Sequence, residues 1–217
     1  MIIDHNHPEY IKKWERLSKG GKHNGAWYYS KEIVDKIIPK IKTDRNWITV
    51  NLPGIGVDHS IIFIHNNLHP ERYEWLSQYD DLILICGVKE TCKKVSHLGK
   101  AIYLPLSVDV KEIEQYKTEK TKDTCFVGRK VKASWGSVPE GTDFLCGMPR
   151  EELLAELAKY EKAFAVGRCA VEARILCCEV LAYDPRYPDP SIWKIYDYKK
   201  AAKKLQKELD KIDKEKK

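Results

Sequence analysis

The sequence has no Cys-x-x-Cys pair, no run of about 18 apolar residues and no complete Gly-x-Gly-x-x-Gly. The first absence argues against a zinc ribbon, the second against a membrane-spanning helix, and the third against the glycine fingerprint of a dinucleotide fold. Met1-Ile2-Ile3 is followed at once by Asp4, His5, Asn6 and His7, which is not the charged-then-apolar order of a secretory signal peptide. His5 and His7 have the spacing of a metal pair but no ligand cluster beside them, so no bound metal is expected. Internal repeats are absent, and low complexity is confined to the C-terminal tail.

What is present is ordinary in bulk. The chain has 217 residues, 43% of them hydrophobic and 32% charged, enough for a real core in one large domain or two small ones. Its seven cysteines (Cys86, Cys92, Cys125, Cys146, Cys169, Cys177 and Cys178) are odd in number and lie mostly in apolar runs. Buried, reduced thiols in a cytoplasmic protein are the expectation. The net charge of +6 is concentrated: residues 199–217 hold nine lysines against four acids, so +5 of it lies in the tail. Ala202, Leu205, Leu209 and Ile212 recur there at helical spacing, which predicts a helix with one thin apolar stripe. Packing on the body is its expected role, with a weak membrane-surface contact through the lysines as a second one. The tail lacks arginine and interleaved aromatics, so nucleic acid is not an expected partner.

Along the chain, Ser30–Pro39 reads as a helix with Ser30 as N-cap, Ile33, Val34, Ile37 and Ile38 on its apolar face, and Pro39 ending it. Strands are predicted at 47–51, 60–65, 81–87 and 101–104, with helices at 70–78 and 89–97 between them. After a charged stretch at 108–122, a second series has strands at 124–127, 143–146, 163–166 and 180–183. Helices are predicted at 149–160, with Leu153, Leu154 and Leu157 facing inward, and at 169–176. Continuous apolar strands separated by helices indicate an α/β fold with parallel sheets covered on both faces. The predicted division is a reduced first lobe at 1–110, a linker at 111–122, a second lobe at 123–198 and a basic helix at 199–217.

The most informative stretch is 165–183: a strand end, a glycine turn, a helix carrying Glu172, then a buried strand. Gly167 and Arg168 at the helix start offer backbone N–H groups, the positive dipole end and a guanidinium to an anion. Glu172, one turn further in, is placed to accept hydrogen bonds from a ribose. Gly128-Arg129-Lys130 leave the carboxyl end of a strand, where ligands of open parallel sheets collect. His65, Asn66 and Asn67 follow another apolar strand, with His65 a candidate general base. Gly54 and Gly56 give the loop at 53–59 the slimness needed for close approach to a ligand.

This order of strand, Gly128-Arg129, loop, strand, Gly147, Leu-rich helix, strand, Gly167-Arg168 and Glu172-Ala173 resembles the C-terminal lobe of glycosyltransferases with two Rossmann-like domains, the GT-B architecture. In that family the first strand of the lobe commonly ends in Gly-Arg, and a late helix carries a ribose-binding glutamate. Pro105-Leu106-Ser107-Val108-Asp109 stands where the family connects its lobes, and the resemblance covers 60–183. It implies two Rossmann-like lobes with parallel sheets and a cleft lined by the loops after Ile64, Val127 and Val166. The nucleotide-sugar donor would be held by Arg129, Lys130, Gly167, Arg168 and Glu172. Gly54, Gly56, Asn66 and Asn67 would form the acceptor side with His65 as catalytic base, and transfer would need no metal or other cofactor.

Two features depart from the family. Its paired glutamates sit eight positions apart, whereas the position eight before Glu172 is Phe164, and the first lobe is short of elements. The alternative function is a non-catalytic nucleotide- or glycan-binding module derived from such an enzyme.

Overall fold

The computed structural model describes residues 1–12, 25–50, 52–64, 70–128, 130–134 and 136–215. The chain is α/β with two sheets of parallel strands. It divides into two compact units, one formed by Met1–Pro105 with Tyr198–Lys217 and the other by Leu106–Asp197.

In the first unit, β1 (Ile2–Ile3), β2 (Asn46–Ile48), β3 (Ser60–Ile64), β4 (Leu82–Cys86) and β5 (Lys100–Tyr103) form one sheet in which each strand lies beside its sequence neighbour. Every residue of β3 and β4 is buried, because the sheet is covered on both faces and neither set of alternate side chains meets water. On one face Ile48, Ile62, Ile64, Leu82 and Leu84 pack with Tyr10, Tyr73, Leu76, Val95 and Leu98. Tyr10 comes from a helix described over residues 8–12 (α1), Tyr73 and Leu76 from the 3-10 helix Pro70–Gln78, and Val95 from α3 (Lys89–Val95). On the other face Tyr29 of α2 (Gly25–Glu32) meets Phe63 edge-on, with ring centroids 6.4 Å apart.

Ser30 is not the N-cap expected from the sequence. The helix is already formed at Gly25, and Ser30 lies inside it as a fully buried residue bonded to Thr49 Oγ1 at 2.7 Å. Its hydroxyl also accepts the His5 N–H at 3.2 Å, so its polar atom serves the sheet rather than the helix start. The helix then passes into a π turn (Ile33–Ile37) and a 3-10 turn (Ile38–Lys40) that contains Pro39. Against this π turn packs α8 (Tyr198–Glu215), whose buried stripe includes Ala202, Leu205, Leu209 and Ile212. That stripe is the one its spacing predicts.

Three pairs of residues precede the inner strands: Asp44-Arg45, Asp58-His59 and Asp80-Asp81. Arg45 donates to the Asp81 carbonyl and to its Oδ1 at 2.9 and 3.1 Å. His59 places Nδ1 at 2.6 Å from Asp81 Oδ2 and Nε2 at 3.2 Å from Asp44 Oδ1. His59 and Asp81 both have left-handed backbones, with φ of 56° and 53°.

In the second unit, β6 (Lys122–Val127), β7 (Asp143–Leu145), β8 (Tyr160–Phe164) and β9 (Glu179–Leu181) form a parallel sheet in the order β7-β6-β8-β9. The connections are α5 (Lys130–Ala133), α6 (Arg150–Leu157) and α7 (Arg168–Ile175). Leu154 and Leu157 of α6 are buried and Leu153 is half-buried. The stretch expected to be a linker, 111–122, lies within this unit. It begins in a short helix, α4 (Val110–Glu114), capped by Asp109 through the Glu112 N–H at 3.1 Å and held down by Ile113 at zero exposure. Lys120 Nζ donates to the carbonyls of Ala158 and Leu176 at 2.8 and 2.6 Å. These residues end α6 and α7, so one ammonium serves the negative ends of two helices. Among the described residues, no helix is long and apolar enough to cross a membrane.

Candidate functional site

Where the strand order of an open parallel sheet reverses, the loops leaving the carboxyl ends of the strands diverge and open a crevice. In the second unit the chain steps from β6 to β7 on one side, then returns to β8 on the other. The reversal therefore lies between β6 and β8. Each flanking loop turns on a glycine: Gly128 after β6 has φ 147°, and Gly167 before α7 has φ 65° with ψ −134°. A side chain at either position would strain the backbone.

Gly167 is the N-cap of α7 and Arg168 its first residue, while Arg150 is the first residue of α6. Arg168 Nε donates to Glu172 Oε1 at 2.7 Å, and Arg150 Nη1 donates to the same oxygen at 2.5 Å. Because β7 and β8 flank β6, this pairing spans the carboxyl end of β6. Glu172 is 2% exposed, and the side chains of Arg150 and Arg168 are 12% and 11% exposed. Burial pushes the Glu172 carboxyl up. The charges of Arg168 and Arg150 and their hydrogen bonds outweigh it, holding the group below the usual carboxylate range. One buried carboxylate thus ties together two guanidiniums that begin different helices. Glu112 approaches Arg150 Nε at 3.7 Å, but its side chain is 47% exposed, so water screens it.

The loop after β9 carries a one-to-one ion pair. Asp184, after β9, is 1% exposed and accepts from Arg186 Nε and Nη2 at 2.8 and 2.7 Å. Burial raises its carboxyl, and Arg186 more than reverses this. The Cys169 thiol is pushed up to about 11 by burial and by Glu172, against the charges of Lys132, Arg168 and Arg150. It stays protonated at neutral pH and is no nucleophile. A basic residue thus follows each strand of this sheet: Lys132, Arg150, Arg168 and Arg186.

Of the residues expected from the sequence, Gly167, Arg168 and Glu172 come together here. Lys130 begins α5. Arg129, His65, Asn66 and Asn67 lie outside the described residues. Gly54 and Gly56 belong to the first unit. Gly54 has φ 83° with open space where a Cβ would stand, whereas a Cβ on Gly56 would meet the Tyr79 ring at 2.5 Å. Packing on Tyr79 therefore requires the second glycine. Arg150, Lys132 and the Asp184–Arg186 pair were not anticipated. Pro149-Arg150 did carry a signal, being a turn and helix start after a strand like Gly167-Arg168.

No protein-family model, no curated protein and no solved structure matches this chain. The chemistry of the site therefore rests on its geometry. Two guanidiniums held by one carboxylate stand beside a glycine-capped helix N-terminus, the donor types that anion recognition uses. Among the described residues, no group of three His, Cys, Asp or Glu side chains is arranged to hold a metal ion.

Proposed function

We propose that the protein is a glycosyltransferase-like enzyme that takes a nucleotide sugar as donor and binds its diphosphate in the second unit. The observation that carries this reading is the Arg150–Glu172–Arg168 arrangement at the β6/β8 reversal. A guanidinium has five N–H donors in a fixed fork, and Glu172 accepts one from each arginine. In this reading Glu172 aims both arginines at the diphosphate, and this positioning role replaces the ribose contact implied by the family resemblance. The leaving nucleoside diphosphate gains charge as the sugar departs, and the two arginines with the start of α7 supply the opposing charge. Arg129 and Lys130, which follow β6 in the sequence, are the further donor-side cations of this proposal. His65, immediately after β3 of the first unit, is the proposed base for the acceptor hydroxyl.

The test is thermal unfolding in the presence of UDP, GDP, ADP, CMP and their sugars, followed by donor hydrolysis. A diphosphate at about 100 times its Kd stabilises by roughly 2.7 kcal/mol. His65→Ala is expected to lower turnover and to leave donor affinity nearly intact. If no nucleotide stabilises the protein, the reading fails. Phe164, where the family carries its first carboxylate, favours a second reading, a nucleotide- or glycan-binding module without turnover. Stabilisation without hydrolysis would support that module.

A further inference from the structure

The first unit carries a groove of about 540 Å³ between the 3-10 turn Ile38–Lys40 and α8. Lys40, Lys199, Lys203 and Lys207 line it with Gln206 and Asp210, and all four lysines are exposed. Lys199, Lys203 and Lys207 follow one another at four-residue intervals, about 6 Å along one side of the helix. Among the described residues, none forms an ion pair with any of these four lysines. The acids nearby are otherwise engaged: Asp210 accepts from Gln206 Nε2 at 2.8 Å, Glu208 from Lys211 at 2.9 Å, and Glu215 from Lys100 at 3.1 Å. The helical spacing of about 6 Å is shorter than the screening length of about 8 Å at physiological salt, so Lys199, Lys203 and Lys207 act together.

The chemistry of the row narrows its partner. It has no arginine fork to clamp a single phosphate and no aromatic ring to stack a base. Lysines are flexible, strongly hydrated point charges, suited to a fluid surface whose phosphates rearrange to meet them. The apolar stripe of α8 is already spent on the body of the unit, with Leu205 and Leu209 at 0% and 1% exposure. The helix therefore has no free apolar face to insert between acyl chains. We infer that this lysine row docks the protein on an anionic lipid bilayer by charge alone, without insertion.

Co-sedimentation of the whole chain with vesicles tests this. Phosphatidylcholine vesicles are compared with vesicles carrying roughly 30 mol% phosphatidylserine, at about 50 and about 300 mM salt. Binding is expected only to the anionic vesicles, with release at high salt. Replacing Lys40, Lys199, Lys203 and Lys207 together by Glu should lower partitioning at least ~10-fold. The same four positions changed to Gln, which keeps the helix propensity high, should give a smaller loss of the same sign. Circular dichroism checks that both variants stay folded. Equal binding to neutral vesicles would overturn the inference, as would undiminished binding by both variants. Tighter binding to a mixed-sequence oligonucleotide or to free tripolyphosphate than to the vesicles would overturn it too.

Discussion

Arg150 and Arg168 begin different helices and donate to one and the same oxygen, Glu172 Oε1. Each guanidinium is almost fully withdrawn from water, and burying charge carries a desolvation cost even when partners are present. The shared carboxylate is buried as well, at 2% exposure. In the proposed reading, a diphosphate is the ligand these two guanidiniums meet.

Replacing either arginine by Gln should weaken nucleoside diphosphate binding at least ~10-fold, equivalent to roughly 1.4 kcal/mol. Titration calorimetry with the diphosphate and with the unphosphorylated nucleoside separates the effects. Only the diphosphate should lose affinity.

Glu172→Gln should cost about 3 kcal/mol of stability at neutral pH, because it leaves two buried guanidiniums without their carboxylate. The sign with pH follows from the depressed carboxyl of Glu172. Its contribution is complete above the unfolded value of about 4.3 and is lost as pH falls through the lower folded value. Urea denaturation across this range should show the variant missing part of the wild-type loss in acid. An identical acid profile would remove Glu172 from the account.

Asp81→Ala should destabilise by about 2–3 kcal/mol, since the Arg45 side chain it holds is only 1% exposed. Asp44→Ala should leave the urea midpoint unchanged, because the Asp44 side chain is 89% exposed. Equal effects would mean that the His59 bridge, rather than burial of Arg45, governs this end of the sheet.

Gly136→Ala would bring a Cβ to 1.5 Å from the Tyr183 carbonyl oxygen. That contact cannot be relieved by a rotamer change, so a loss of at least ~2 kcal/mol is expected in thermal or urea unfolding. An unchanged midpoint would show that the loop near Tyr183 gives way freely.

The fold was legible where burial is total. β3 and β4 are unbroken apolar runs in the sequence because both faces of their sheet are covered, and the stripe of α8 followed from simple periodicity. β1, at two residues, is too short to carry any period. Ser30 misled because a serine before an apolar helical pattern is the usual mark of a helix start, and only its distant partner Thr49 gives it another use. The second unit's share of 111–122 was signalled by Asp109 and Glu112, three residues apart at a cap, but the surrounding charges masked it. At the site, Gly167, Arg168 and Glu172 are local to one helix and could be read together. Arg150 could not, because its bond to Glu172 joins residues 22 apart, and single-sequence patterns do not report such distances.

The first unit is discontinuous in the chain, since α8 lies beyond the whole of the second unit. The two chain crossings run side by side, with the Val108 N–H donating to the Tyr196 carbonyl at 3.1 Å. During synthesis on a ribosome, the second unit is therefore complete before the helix that closes the first has emerged. Until then the π turn around Ile33 and Ile37 lacks the α8 side of its packing. Completion of the first unit's core thus waits on a helix made after the whole of the second unit.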